Sequence, residues 1–144
     1  MIVAATMTVQ RIAEFLRRRA GKFFARYTDE ALVDYIMFHW EQETLCYARR
    51  DAEIAGVMVG WQQQSQDIVP FNWQPEDRTG HWWYWHIFAA DDERSALQCV
   101  RWFVERRPQC VLFPNVAMRH GKARIYRAGK FTDLYLKGLK HYGS

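Results

Sequence analysis

His81-Trp82-Trp83-Tyr84-Trp85-His86-Ile87-Phe88-Ala89-Ala90-Asp91-Asp92 is the stretch around which the rest of the chain has to be arranged. Large rings occupy both alternations of the two-residue strand period, which is too apolar for a strand with one wet face. The spacing predicts a central strand over 81–90, covered on both faces, that runs out at the two aspartates into a helix. Ligands of open α/β sheets bind off the carboxyl end of such strands. His86, an imidazole in the middle of the run, is therefore the first candidate for chemistry.

Downstream, a helix is expected over 93–107, capped by Asp91 or Asp92 and ended by Pro108, with Ala96, Leu97, Val100 and Phe103 inward. Short strands are expected at 110–113 and 122–128. The tail over 131–140 has helical spacing through Leu134, Leu136 and Leu139. Upstream, 44–50 and 53–61 read as strands joined tightly through Asp51 and Ala52. Gly56 and Gly60 there mark a bulge or a close approach. The polar stretch 62–80, with Pro70, Pro75 and Gly80, is a long connection.

Val9, Ile12, Ala13, Leu16 and Ala20 share a stripe, predicting a helix over 8–20. Thr28 caps a second helix, with Asp29 and Glu30 in its first turn and Leu32, Val33, Ile36, Met37 and Trp40 on its buried face. The order α-α-β-β-β-α-β-β-α gives a single α/β (α+β) domain over 1–144. Its mixed sheet has helices on both faces and includes a right-handed parallel β-α-β crossover.

At 144 residues the chain can bury a core without staples. Aromatic content of 16% supplies core rings or the lining of an apolar cleft. No run approaches the roughly 18 apolar residues of a membrane span, and the opening residues lack the charge pattern of a signal peptide. Cys46, Cys99 and Cys110 show neither even pairing nor metal spacing, so reduced thiols, a cytoplasmic location and no metal are expected. The net charge of +4 is uneven. Residues 115–144 carry seven Lys/Arg against Asp133, and 9–27 carry six against Glu14. Basic ends suit an anionic partner: nucleic acid, a phosphate-bearing cofactor or an acidic protein. Arg17-Arg18-Arg19 reads as a solvated helix face.

Two helices, an antiparallel meander and a β-α-β unit resemble the GNAT acyltransferase fold. Three segments resemble the toxin-activating lysine-acyltransferases in particular. These are the strand pair over 47–61, Glu76-Asp77 followed by the aromatic strand over 83–89, and the paired Gly121-Lys122 and Gly129-Lys130. The glycine-rich pyrophosphate turn of GNAT enzymes is absent, and His86 stands where the narrower family has an aspartate. The resemblance implies transfer of an acyl group from acyl carrier protein or acyl-CoA to an amine, with a protein lysine as acceptor and no permanently bound cofactor.

On that reading His86 is the base and Tyr126 the acid. The donor meets the N–H groups of Phe88, Ala89 and Ala90, the helix start with Arg94, and the basic hairpin of Arg119, Lys122, Arg124 and Lys130. A homodimer would cover exposed aromatic rings. The alternative is a non-catalytic GNAT-fold protein whose basic hairpin holds nucleic acid or a protein partner.

Overall fold

The computed structural model describes residues 2–65, 76–119 and 122–133. Helices α1 (Ile2–Arg19) and α2 (Asp29–Glu41) precede strands β1 (Leu45–Arg50), β2 (Glu53–Gln63) and β3 (Trp82–Ala90). Helix α3 (Glu93–Arg106), one turn of α4 (Gln109–Leu112) and strands β4 (Asn115–Arg119) and β5 (Lys122–Tyr126) follow. The strands form one mixed sheet in the order β1-β2-β3-β4-β5, antiparallel throughout except for the parallel pair β3–β4. A helical turn begins again at Lys130, and the rest of the expected tail helix lies outside the described residues. So do the middle of the long connection, His120 and Gly121. No helix among the described residues is long and apolar enough to cross a membrane.

Each face of the sheet has its own core. Val9, Ile12 and Leu16 of α1 and Leu32, Tyr35 and Ile36 of α2 pack on Val57, Val59, Trp61, Tyr84 and Val116. On the other face Ala96, Cys99, Val100 and Phe103 of α3 pack with Cys110 on Met58, Trp83, Trp85 and Ala117. Cap chemistry places the helices as expected: Thr28 Oγ1 accepts from Ala31 N at 3.0 Å, and Asp92 Oδ1 from Ser95 N at 2.8 Å. Asp51, at φ 57°, makes the tight turn between β1 and β2, a conformation that aspartate tolerates.

Three expectations are corrected. The segment over 110–113 is helical, because Pro108 opens a new turn and a short apolar run does not by itself separate strand from helix. The strand starts instead at Asn115, a fully buried residue. Its side chain accepts from Trp85 Nε1 at 2.9 Å and donates to the carbonyls of Cys110 and Phe113, tying β3 to the end of α4. The buried face of α2 is Leu32, Tyr35, Ile36 and His39, while Met37 is 41% exposed. Tyr35 and His39 turn inward because their polar tips find partners there. Leu97 stays 37% exposed on the outer side of α3.

The near end of the long connection is fixed by charge. Glu76 and Arg107 form an ion pair whose side chains are only 3% and 5% exposed. The second Glu76 oxygen accepts from Gln62 N at 2.8 Å, and Arg107 Nη1 donates to Glu43 O at 3.2 Å. The Arg107 guanidinium also lies 5.5 Å from the centre of the Trp83 ring. Glu76→Ala leaves the arginine charge buried and alone, so it should cost about 3–5 kcal/mol. Urea unfolding of the two proteins at neutral pH measures the difference, and a loss under about 1 kcal/mol would mean the pair holds nothing.

Candidate functional site

β3 is held differently on its two edges. Against β2 it is paired from Trp82 to Ala90, whereas against β4 only Trp83, Tyr84 and Trp85 meet Asn115, Val116 and Ala117. From His86 onward, β2 is the only described strand beside it. At the same point the β2 register slips: Val59 faces Ile87 and Gly60 faces Trp85, so His86 has no counterpart. This is a β-bulge, which re-aims side chains and bends the strand. Gly60 makes room for it, because a Cβ there would lie 2.8 Å from both Trp83 Nε1 and Trp85 Cε3.

His86 turns toward α1 and α2. Its ring lies 4.7 Å from Phe23, 5.3 Å from Trp61, 5.4 Å from Tyr35 and 5.7 Å from Tyr84. Tyr35 Oη and His86 Nδ1 are 2.5 Å apart. Burial pushes the Tyr35 phenol well above its ordinary range, so it stays protonated, and one hydrogen lies between its oxygen and Nδ1. The other ring nitrogen, Nε2, is buried and has no hydrogen-bond partner among the described residues.

A second buried histidine lies close by. His39 stacks on Trp61 at 5.1 Å, and its Nδ1 lies 2.8 Å from Thr44 Oγ1. The Thr44 hydroxyl donates to the His39 carbonyl, so its oxygen accepts from Nδ1–H. Burial, and secondarily the His39 charge, lower the His86 pKa to about 3. The imidazole is neutral throughout the physiological range.

The other expected site residues are distributed over both faces. Tyr126 belongs to the core beneath α3, with its ring 5.1 Å from Phe131 and its buried hydroxyl without a partner among the described residues. The sheet therefore separates it from His86. Phe88 and Ala90 face the same side as Tyr126, whereas Ala89 faces α1 and α2. Phe131 covers Phe88 at 4.9 Å. The Ala90 carbonyl accepts from Arg19 Nη2 at 2.8 Å. Arg94, Lys122, Arg124, Arg127 and Lys130 are exposed, and Arg119 closes the hairpin opposite Lys122. Strand alternation puts Lys122 and Arg124 on the Tyr126 face.

The start of α3 is filled by the chain's own carboxylates. Asp92 caps α3 and pairs with Arg50 at 2.8 Å. Asp91 accepts two hydrogen bonds from Arg18, at 3.1 and 2.8 Å, and its Oδ1 lies 3.3 Å from Arg19 Nε. The Arg18 hydrogen bond holds its carboxyl below the usual range. The arginine run is thus no idle solvated face. Arg17 donates to the Phe24 and Tyr27 carbonyls, while Arg18 and Arg19 clasp the β3–α3 junction. Sequence reasoning missed Arg17, Arg18, Arg19, Tyr35 and Phe23. The acids at 29 and 91 were the available signal for the arginines.

Among the described residues, no group of three or more His, Cys, Asp or Glu side chains is placed to hold a metal ion. No protein-family model matches the chain, and no curated protein matches it.

The neutral imidazole has a consequence for acid stability. Unfolding returns His86 to a pKa near 6.5, so between that value and about 3 the unfolded chain binds a proton that the folded one refuses. Its contribution is intact above pH 6.5 and shrinks as the pH falls, by up to about 1.4 kcal/mol per unit. His86→Gln should remove that slope. Urea midpoints for both proteins at several pH values between 7 and 4 measure it, and parallel slopes would show that His86 titrates normally.

Proposed function

We propose that this protein transfers an acyl group from a thioester on acyl carrier protein to an amine, with a protein lysine as acceptor. The observation that carries this reading is the parting of β3 from β4 at the residue where an imidazole bulges from the central strand. A thioester laid in that gap would put its carbonyl beside His86. The lysine nitrogen attacks the carbonyl carbon, the C–S bond breaks, and the proton shed by the nitrogen neutralises the departing thiolate.

The protonation state of His86 favours one role over another. A base works best with a pKa near the working pH, and about 3 is far below it. In this reading Tyr35 donates to Nδ1, which puts the imidazole hydrogen on the unpartnered Nε2 as a donor to the oxyanion. A buried N–H without an acceptor costs about 1–3 kcal/mol, which an arriving carbonyl oxygen would offset. Phe23, 44% exposed and edge-on to the imidazole, is the side chain that would swing aside. Tyr126 stays with the donor side of the sheet and lies apart from His86.

Two features support a carrier-protein donor over coenzyme A. Asp91 and Asp92 occupy the helix start where a nucleotide pyrophosphate would sit. Lys122, Arg124 and Lys130 offer an exposed basic row to an acidic carrier. The same row favours nucleic-acid binding as the second reading.

Mass spectrometry of the protein incubated with acyl carrier protein charged with an acyl chain, or with acyl-CoA, and lysine peptides tests the proposal. Acyl-lysine should form from the carrier-bound donor. His86→Ala should slow transfer by about 100- to 1,000-fold, as loss of an oxyanion donor does, while donor retention persists. Neither donor consumed, together with salt-sensitive nucleic-acid retention unaffected by His86→Ala, would replace this reading with the second.

A further inference from the structure

All three cysteines are free and buried, and two of them lie against each other. Cys46 and Ala48 of β1 point to the α3 side of the sheet, and Ser95 and Cys99 belong to the buried face of α3. A Cβ on Gly56 would lie 3.6 Å from the Ala48 Cβ and 3.5 Å from the Ser95 Cβ, so Ser95 stands beside Ala48. Trp102 and Arg106 border the same groove as Leu45 and Cys46, so α3 runs back along β1 in the opposite direction. Four helical residues advance about 6 Å and two strand residues about 7 Å. The step from Ser95 to Cys99 therefore matches the step from Ala48 to Cys46, and the two thiols meet. Hydrogen bonding to Cys46, ahead of burial, holds the Cys99 thiol well above its ordinary range.

The two sulfurs differ in access. Cys99 is fully enclosed, whereas Cys46, 7% exposed, lines a groove of about 510 Å³ with Trp40, Tyr47, Trp102 and Arg106. A small molecule entering by that groove meets Cys46 first and finds Cys99 behind it. One thiol within reach and a second at its back is the arrangement that resolves a sulfenic acid into a disulfide. Cys110 lies outside the pair: burial pushes its thiol up to about 12, and neither of the other sulfurs acts on it.

We propose that Cys46 and Cys99 are a modification site for hydroperoxides, forming a reversible disulfide that links the edge strand β1 to α3. The Cys46 thiol gives its proton to solvent, and the thiolate attacks one peroxide oxygen. The O–O bond breaks, leaving a sulfenic acid on Cys46, and the departing oxygen takes up a proton as water or an alcohol. The Cys99 sulfur then attacks the Cys46 sulfur. The S–S bond forms, the S–O bond breaks, and the hydroxide leaves with the Cys99 proton as water. The two sulfurs together lose two electrons, which the peroxide gains, and a dithiol reductant reverses the change. This chemistry lies on the α3 side of the sheet, across from His86, and does not depend on acyl transfer.

Mass spectrometry of the folded, fully reduced protein after brief exposure to hydrogen peroxide tests this. The chain should lose two hydrogens, proteolytic mapping should find Cys46 and Cys99 in one cross-linked fragment, and dithiothreitol should restore both thiols. The cross-linked form should melt about 5–10 °C higher, since the bond closes a long loop in the unfolded chain. Cys110→Ser should cross-link as before. Cys99→Ser should stop at a sulfenic acid on Cys46 that dimedone captures, and Cys46→Ser should leave Cys99 unmodified. Thiols that survive peroxide in the folded chain, a cross-link to Cys110, or oxygen gained at Cys46 without a cross-link would each overturn the proposal. All three are read on the unsubstituted chain, whether or not a variant folds.

Discussion

The molecule depends on reconciling one strand with two apolar surroundings. β3 carries Trp83 and Trp85 into the core under α3, and Tyr84 and Ile87 into the core under α1 and α2. A regular pleat cannot send residues 84 and 87 to the same side. The extra residue at His86 resets the alternation, and Gly60 opposite supplies the space two indoles require. Large rings, bulge and glycine are thus one arrangement, and the imidazole stands at its pivot.

Electrostatics ties the helical layer to this strand. Arg18 and Arg19 reach from α1 to the carboxyl end of β3, and Arg50 reaches Asp92 from β1. These contacts are partly exposed, so each contributes modestly. Their larger effect is on what the junction can bind. Carboxylates already cap α3 and already hold arginine partners, so a free anion would have to displace them. Glu76 and Arg107 act differently: they are buried, and together they anchor the end of the long connection against Trp83.

Much of the fold was legible because its signals are local. The aromatic run, the Thr28 cap, an aspartate cap at 91 or 92 and the Asp51 turn each act within a few residues of themselves. His86 and the importance of Gly60 were legible too, the first as a polar group in an oily run and the second as a glycine inside a strand. The protonation of His86 was not, since it follows from its burial beneath α1 and α2 and secondarily from His39, distant in sequence and turned inward on α2. The α2 stripe was misplaced for the same reason: hydrophobicity favours Met37 over His39 until the partner of the histidine is known. The segment over 110–113 failed because four apolar residues fit either period.

The sequence by itself determined which strand is central, where the helices start and which charges crowd the two ends, because propensity, caps and composition are properties of neighbours along the chain. Only the tertiary structure decided that His86 is a neutral imidazole facing α1 and α2, that Tyr126 lies across the sheet from it, and that the arginine run clasps the β3–α3 junction. Those outcomes depend on which groups meet after the chain has folded back on itself. Desolvation and pairing act through space, and residue spacing does not encode them.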